Sequence, residues 1–313
     1  MEWEAPAIVL DARPHGEGDA VATVLTEEHG LHRGLARGGT ARARVAVWLP
    51  GNLVQVRWMA RLADQLGSFT AELVHPAAAL AMQDALTNAM LSAACAVAAG
   101  ALPEREPHPR VFNGLLRLIA GLPQGAPMLA ELVHWETVLL ADLGYGLDLA
   151  RCAVTGETAG LAFISPKTGR AVTAAGAGEW SGRLLRLPAF LGGDDTAGDD
   201  QGAAAGGQND SRPDDARDAV GDDPPGAAGG NSASPAERAA DPVAGRSFDP
   251  GSPAETVHAP PTAADWRDGL ALTGHFLARD AFGHHHRPLP AARQMLYDRV
   301  AALAAESEGT NGG

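Results

Sequence analysis

From Gly192 to Ala263 the chain runs for 72 residues with almost nothing that can enter a core, and this stretch constrains how the rest must fold. It holds fourteen Asp and Glu residues against four arginines, in a background of Gly, Pro, Ala and Ser. Its large apolar residues are nearly limited to Val220, Val243, Phe248 and Val257. Such a segment cannot bury enough apolar surface to offset the entropy of ordering its backbone, so a disordered acidic insertion is expected. Its net charge of −10 accounts for most of the chain's −14, and the low isoelectric point therefore says little about the folded part. About 240 residues remain, enough for two small domains with a substantial core.

No run approaches the ~20 apolar residues of a membrane helix, and Met1-Glu2-Trp3-Glu4 lacks the basic, apolar start of a secretory signal. A cytoplasmic chain with no membrane association is expected. Cys95 and Cys152 are too few for a disulfide framework, and Cys95 in its Ala-rich surroundings reads as a buried thiol.

The first seventy-five residues read as five short strands with tight turns. Ala7–Leu10 and Ala20–Leu25 flank the turn-like Pro14-His15-Gly16-Glu17-Gly18. Leu31–Ala36 ends at Gly38-Gly39, Leu53–Arg61 carries the alternation Val54, Val56, Trp58, and Leu66–Val74 follows a turn. This pattern suggests a small closed barrel. At Pro76 the period changes: Ala77–Ala99, Arg110–Ala120 and Met128–Leu143 have helical composition or spacing, and Gly144 is a C-terminal stop. Beyond the insertion, Asp265–Asp280 and Pro290–Ala305 read as helices. The fold class is α+β.

Between Leu31 and Ala63 lie six arginines, Arg33, Arg37, Arg42, Arg44, Arg57 and Arg61, and no acidic residue. Guanidinium groups keep their charge and present a planar fork of donors, which suits a phosphate backbone. Gly38-Gly39 lets the backbone approach a phosphate closely. A barrel with a positive groove and stacking aromatics is a common platform for single-stranded nucleic acid. Trp48 and Trp58 are the stacking candidates, although Trp58 shares the parity of Val54 and Val56 and reads rather as core. The competing reading of the arginines is a solvated surface.

Arg151-Cys152-Ala153-Val154-Thr155-Gly156 and Thr173-Ala174-Ala175-Gly176 keep the spacing of a four-cysteine zinc ribbon, with Cys152, Thr155, Thr173 and Gly176 in the ligand slots. One thiolate does not hold zinc, so the reading is a ribbon-shaped hairpin without metal. His284-His285-His286 with Asp280 supports an alternative, a metal-dependent hydrolase, but adjacent histidines diverge and an exposed loop is favoured. Nucleophile, phosphate-loop and dinucleotide signatures are missing, and Lys167 is the only lysine. No catalytic residue and no cofactor are assigned.

His15-Gly16-Glu17-Gly18-Asp19, Leu25-Thr26-Glu27-Glu28-His29-Gly30 and Arg37-Gly38-Gly39 resemble the N-terminal domain of the RecO family of bacterial recombination mediators. Trp135-Glu136, Leu143 to Leu149 and Cys152 to Gly156 are similar to its middle region, and Trp180 to Pro188 and Leu289 to Arg293 to its C-terminal pieces. The resemblance implies an OB barrel over 1–75, a helical domain over 76–150 and a finger-like hairpin over 151–178. A helical segment over 179–191, the insertion at 192–263, a helical continuation over 264–306 and a disordered tail over 307–313 complete this division.

It further implies binding of single- and double-stranded DNA, strand annealing, and contact with the acidic C-terminal tail of the single-stranded DNA-binding protein. Joint action with RecR in loading RecA, at the nucleoid, also follows from the resemblance. The expected DNA contacts are Arg33, Arg37, Arg42, Arg44, Arg57 and Arg61, with Lys167 and Arg170 of the finger as a second patch. For the acidic tail, Arg110 and Arg117 on the helical domain are the candidates. The chain departs from the four-cysteine members at three of four positions.

Overall fold

A computed structural model describes residues 1–42, 44–62, 64–194 and 259–310. The disorder expected for 192–263 therefore falls mostly outside the described residues. Its edges are ordered: the Asp194 amide donates to the Leu161 carbonyl at 2.7 Å, and Thr262 caps the next helix.

Five strands, β1 (Glu2–His15), β2 (Asp19–Thr26), β3 (Gly30–Ala36), β4 (Leu53–Met59) and β5 (Ser68–His75), close into a barrel in the order β1-β2-β3-β5-β4. All pairings are antiparallel except β3 with β5. The barrel agrees with the OB-type reading, but β1 is far longer than Ala7–Leu10. Its first half pairs with β4, from Glu2 opposite Met59 to Ile8 opposite Leu53, and its second half with β2, from Ala7 opposite Thr26 to His15 opposite Asp19. Charged residues on its outer face hide this length from a hydrophobic pattern. Gly30 opens β3 at φ +63°, and a Cβ there would lie 1.9 Å from the Glu106 carbonyl oxygen, so both conformation and space demand glycine.

The strands alternate. Ala7, Val9, Ala20, Ala22, Val24, Ala36, Val54, Val56, Trp58 and Phe69 fill the interior. On the outside of one end, Ile8, Leu10, Leu25 and Leu31 join a second, larger core made with the helices. Asn52 links the two parts, donating to the Ala46 carbonyl at 2.7 Å and accepting from the Ala78 amide at 3.0 Å.

The helix expected over 77–99 is two: α1 (Ala77–Ala81) and α2 (Ala85–Ala101). The break arises because the Asp84 carboxylate accepts from the Thr87 amide at 2.7 Å and starts a new helix. Two further helices, α3 (Pro109–Gly121) and α4 (Met128–Asp142), follow, and Gly144 at φ +87° ends the run. Next come β6 (Leu161–Ile164), β7 (Ala171–Thr173), the single turn α5 (Ala174–Ala177) and β8 (Leu185–Arg186), with β6 central in a three-stranded sheet.

The helical segment expected over 179–191 is made of 3₁₀ turns interrupted by a short strand rather than one continuous helix. The turns, at Gly178–Arg183 and Ala189–Leu191, flank β8 because the free edge of β6 recruits Leu185 and Arg186 into backbone pairing. The chain returns as α6 (Ala263–Phe276), continues through a wider π-helical turn at Leu277–Ala281, and ends in α7 (Ala291–Thr310). Helix α7 runs through 307–310, where a tail was expected; 311–313 lie outside the described residues. Among the described residues no helix is long and apolar enough to cross a membrane.

Candidate nucleic-acid interface

Barrel parity decides where the arginines go. On β4 the inward slots are taken by Val54, Val56 and Trp58, which leaves Arg57 outside. On β3, His32, Gly34 and Ala36 face inward and Arg33 outward. Arg37, Arg42 and Arg44 lie in the loop after β3, and Arg61 just beyond β4; all six side chains are exposed. The loop turns on Gly38, at φ +64°, whose amide is held by the Asp19 carboxylate at 2.7 Å. Arg44 Nη1 donates to the Arg37 carbonyl at 3.0 Å and keeps these two arginines together.

Arg37 and Arg61 line one groove of about 890 Å³, with Leu35, Met59, Gln65 and Ser68. Glu2 shares that groove and is ion-paired with Arg57, which itself does not line it. Arg33 is elsewhere: it pairs with Glu104 at 2.9 Å and lines a separate groove of about 590 Å³, beside Arg13 and Arg287. Both ion pairs are solvent-exposed, and exposed pairs contribute ~0–1 kcal/mol, so a phosphate can displace either carboxylate at little cost. The sequence reading missed Arg13 and Arg287. Neither lies in the Arg-rich run: the β1–β2–β3 register brings Arg13 to Arg33, and the packing of the segment after α6 brings Arg287.

The tryptophans do not stack on bases. Trp58 is 2% exposed, and Trp48, the other candidate, is 5% exposed and stacked on Phe69 with ring centroids 6.1 Å apart. The aromatic at the barrel end is instead Trp3, half-buried and stacked on His29 at 4.4 Å. Behind it His32 lies edge-on to Trp58 at 4.7 Å. Burial, then the charges of Arg105 and His29, lower the His32 pKa to about 4.

On the three-stranded sheet, Lys167 and Arg170 are exposed around the β6–β7 turn, with Arg170 Nε 3.4 Å from the Asp148 carboxylate. Arg279 at the end of α6 donates to the Pro166 and Lys167 carbonyls and braces this turn. The four ribbon positions meet. Cys152 Sγ accepts from the Thr155 and Thr173 amides, each at 3.3 Å, and lies 3.5 Å from Thr173 Oγ1. A Cβ on Gly176 would stand 3.2 Å from the same sulfur. Burial raises the Cys152 pKa, but hydrogen bonds from Thr155 and Thr173 outweigh it and hold the thiol at about 6.

Arg110 and Arg117 lie seven residues apart on one exposed face of α3, with Arg110 Nη1 4.0 Å from Asp142. The apolar groove nearby, about 880 Å³ between β5, α1 and the end of α3, is lined by Leu53, Val74, Leu80, Ile119 and Leu122 among others, but by neither arginine.

The histidine cluster does not converge. His284 stacks on Tyr145 at 5.6 Å, His286 is left-handed at φ 51°, and both Asp280 oxygens accept from the Arg279 guanidinium at 2.7 Å. Among the described residues, no three His, Cys, Asp or Glu side chains are grouped to hold a metal ion.

Comparison with known proteins gives a consistent result. The family model described as recombination protein O N terminal matches residues 1–77, and that described as recombination protein O C terminal matches 82–200. The chain is 48% identical over 304 residues to the DNA repair protein RecO of Granulibacter bethesdensis, covering 97% of each chain. It is 47% identical over 308 residues to that of Gluconacetobacter diazotrophicus, covering 97% of this chain and 96% of the relative. With that of Acidiphilium cryptum it shares 46% identity over 300 residues, 96% of each. A closed five-strand barrel with its arginines outside, followed by helices, and matches along nearly the whole length lead to one conclusion: this chain belongs to the RecO family of DNA repair proteins.

Proposed function

We propose that the chain binds single- and double-stranded DNA through its barrel arginines and anneals complementary strands as a recombination mediator in DNA repair. The observation that carries this reading is the outward placement of all six arginines on a barrel whose interior is otherwise filled. Annealing needs no catalytic side chain. Two polyanions held on one cationic surface repel each other less, and base pairing supplies the driving force. Arg33, Arg37, Arg42, Arg44, Arg57 and Arg61 are the primary contacts, with Lys167 and Arg170 as a second patch.

The family further supports contact with the acidic tail of the single-stranded DNA-binding protein, cooperation with RecR, and help in loading RecA at the nucleoid. Arg110 and Arg117, sharing one face of α3, are the proposed anchors for the tail.

Titration of a fluorescent single-stranded oligonucleotide across a salt series tests the central claim. Six phosphate contacts predict a slope of log K against log salt of about −4, from ~0.7 per phosphate. In the Arg37→Glu/Arg42→Glu/Arg44→Glu variant the slope is expected to flatten by about 2 and affinity to fall at low salt. Unchanged affinity and slope would overturn the reading.

A further inference from the structure

We infer that the nucleic-acid path leaves the barrel along the outer face of β3 and continues into the groove between barrel and helices, where Arg13 and Arg287 are additional phosphate contacts. This inference rests on the nucleic-acid reading of the barrel arginines.

Arg33 belongs to the Arg-rich run by sequence, yet it does not line the groove of Arg37 and Arg61. It lines the second groove, into which β1 brings Arg13 and the segment between α6 and α7 brings Arg287. The two grooves are joined through β3. Leu35 lines the first and Arg33 the second, and residues two apart on a strand project from the same face about 7 Å from each other. Across the sheet, Asp11, Thr23 and Arg33 stand side by side in register, with Arg13 two residues further along β1. A chain lying along this face therefore passes from Arg37 to Arg33 and Arg13 without leaving the surface.

Charge favours a phosphate chain in the groove. Three guanidinium groups line it with the carboxylate of Asp11, while Glu104, paired with Arg33, stands outside the lining. Asp11 pairs with Arg13 at 2.7 Å, but the Arg13 side chain is 83% exposed, and such a pair yields readily to another anion. Arg287 uses one of its five donors on the Gly100 carbonyl, at 3.4 Å. The floor is apolar, with Leu10, Ala96, Ala99 and Phe282, and suits the faces of unpaired bases or sugars. Continuity with the Arg37–Arg61 groove selects single-stranded nucleic acid over an acidic peptide as the occupant.

The test compares oligo-dT binding by the full chain and by Arg13→Gln/Arg287→Gln across a salt series, with melting temperatures measured alongside. Each lost contact removes ~0.7 from the salt slope, which is about fivefold in affinity near 0.1 M salt. The double variant is thus expected to bind about 25-fold more weakly with a slope shallower by ~1.4. Asp11→Asn removes the carboxylate paired with Arg13 and is expected to tighten binding. Should Arg287→Gln lower the melting temperature, Arg13→Gln alone, which touches only an exposed partner, decides with its own fivefold loss. Wild-type affinity in these variants, while Arg37→Gln/Arg61→Gln binds weakly, overturns the inference and leaves the barrel site standing. Wild-type affinity in all of them overturns the nucleic-acid reading itself.

Discussion

His32 shows how much a single residue's environment can decide. By sequence it is one polar residue in a mixed strand; in the barrel it is 5% exposed among Trp3, Trp58 and Phe69, and neither ring nitrogen meets a partner in hydrogen-bonding geometry. Its folded pKa of about 4 lies below the ordinary 6.5. Between these values the unfolded chain takes up a proton that the folded chain refuses, so stability falls as pH drops from 6.5 towards 4. His32→Phe is expected to remove this term, on the order of 3 kcal/mol at most, and to move the acid-unfolding midpoint to lower pH. Circular dichroism against pH checks it, and coincident acid midpoints for the two proteins would contradict it. Trp48 teaches the reverse lesson: it reads as a stacking residue because it sits in a basic loop, yet that loop folds back and inserts it against Phe69.

At the scale of elements, the β6–β7 hairpin keeps its shape through hydrogen bonds to one sulfur. Cys152 Sγ gathers the amides of the 152–155 turn and of β7. Its folded pKa of about 6 is below the ordinary 9, so its contribution to stability grows as pH rises from 6 to 9 and is lost as pH falls through 6. Cys152→Ser is expected to flatten that rise, measured as urea-unfolding midpoints at pH 6 and pH 9; an equal rise in the variant would rule out a thiolate at this position. Spacing alone brought Cys152, Thr155, Thr173 and Gly176 into view, because a knuckle's backbone places the same four positions together whatever side chains occupy them. Other elements were less legible. The split of 77–99 into α1 and α2 turns on the Asp84 carboxylate meeting one amide, a competition that helix propensity does not resolve. Within 179–191, Leu185 and Arg186 became β8 because a free strand edge lay beside them, their partners Ile164 and Phe163 standing more than a score of positions earlier in sequence.

For the whole molecule, the pieces on either side of the acidic stretch share one apolar core, and among the described residues a buried ion pair fastens them as well. Arg293 of α7, 1% exposed, donates to both oxygens of Glu136 on α4, at 2.5 and 2.9 Å, and to the Leu270 carbonyl on α6 at 2.8 Å. Thr273 Oγ1 completes the set at 2.5 Å from Glu136. Removing one partner strands the other charge in the core, so Arg293→Ala is expected to cost about 3–5 kcal/mol, read as a loss of the same size in the urea-unfolding free energy. A loss below about 1 kcal/mol would show that the pair does not fasten them. The residues on their own determined that a barrel precedes helices, that a long acidic stretch interrupts them, and that arginines cluster on the barrel. Alternation, helical period and charge are local properties and survive in the chain as written. Which arginines share a groove, that Trp48 is interior, and that Arg13 and Arg287 stand with Arg33 were decided only by tertiary packing. Those contacts join residues tens to hundreds of positions apart, and no local pattern encodes the closure of a barrel or the docking of helices upon it.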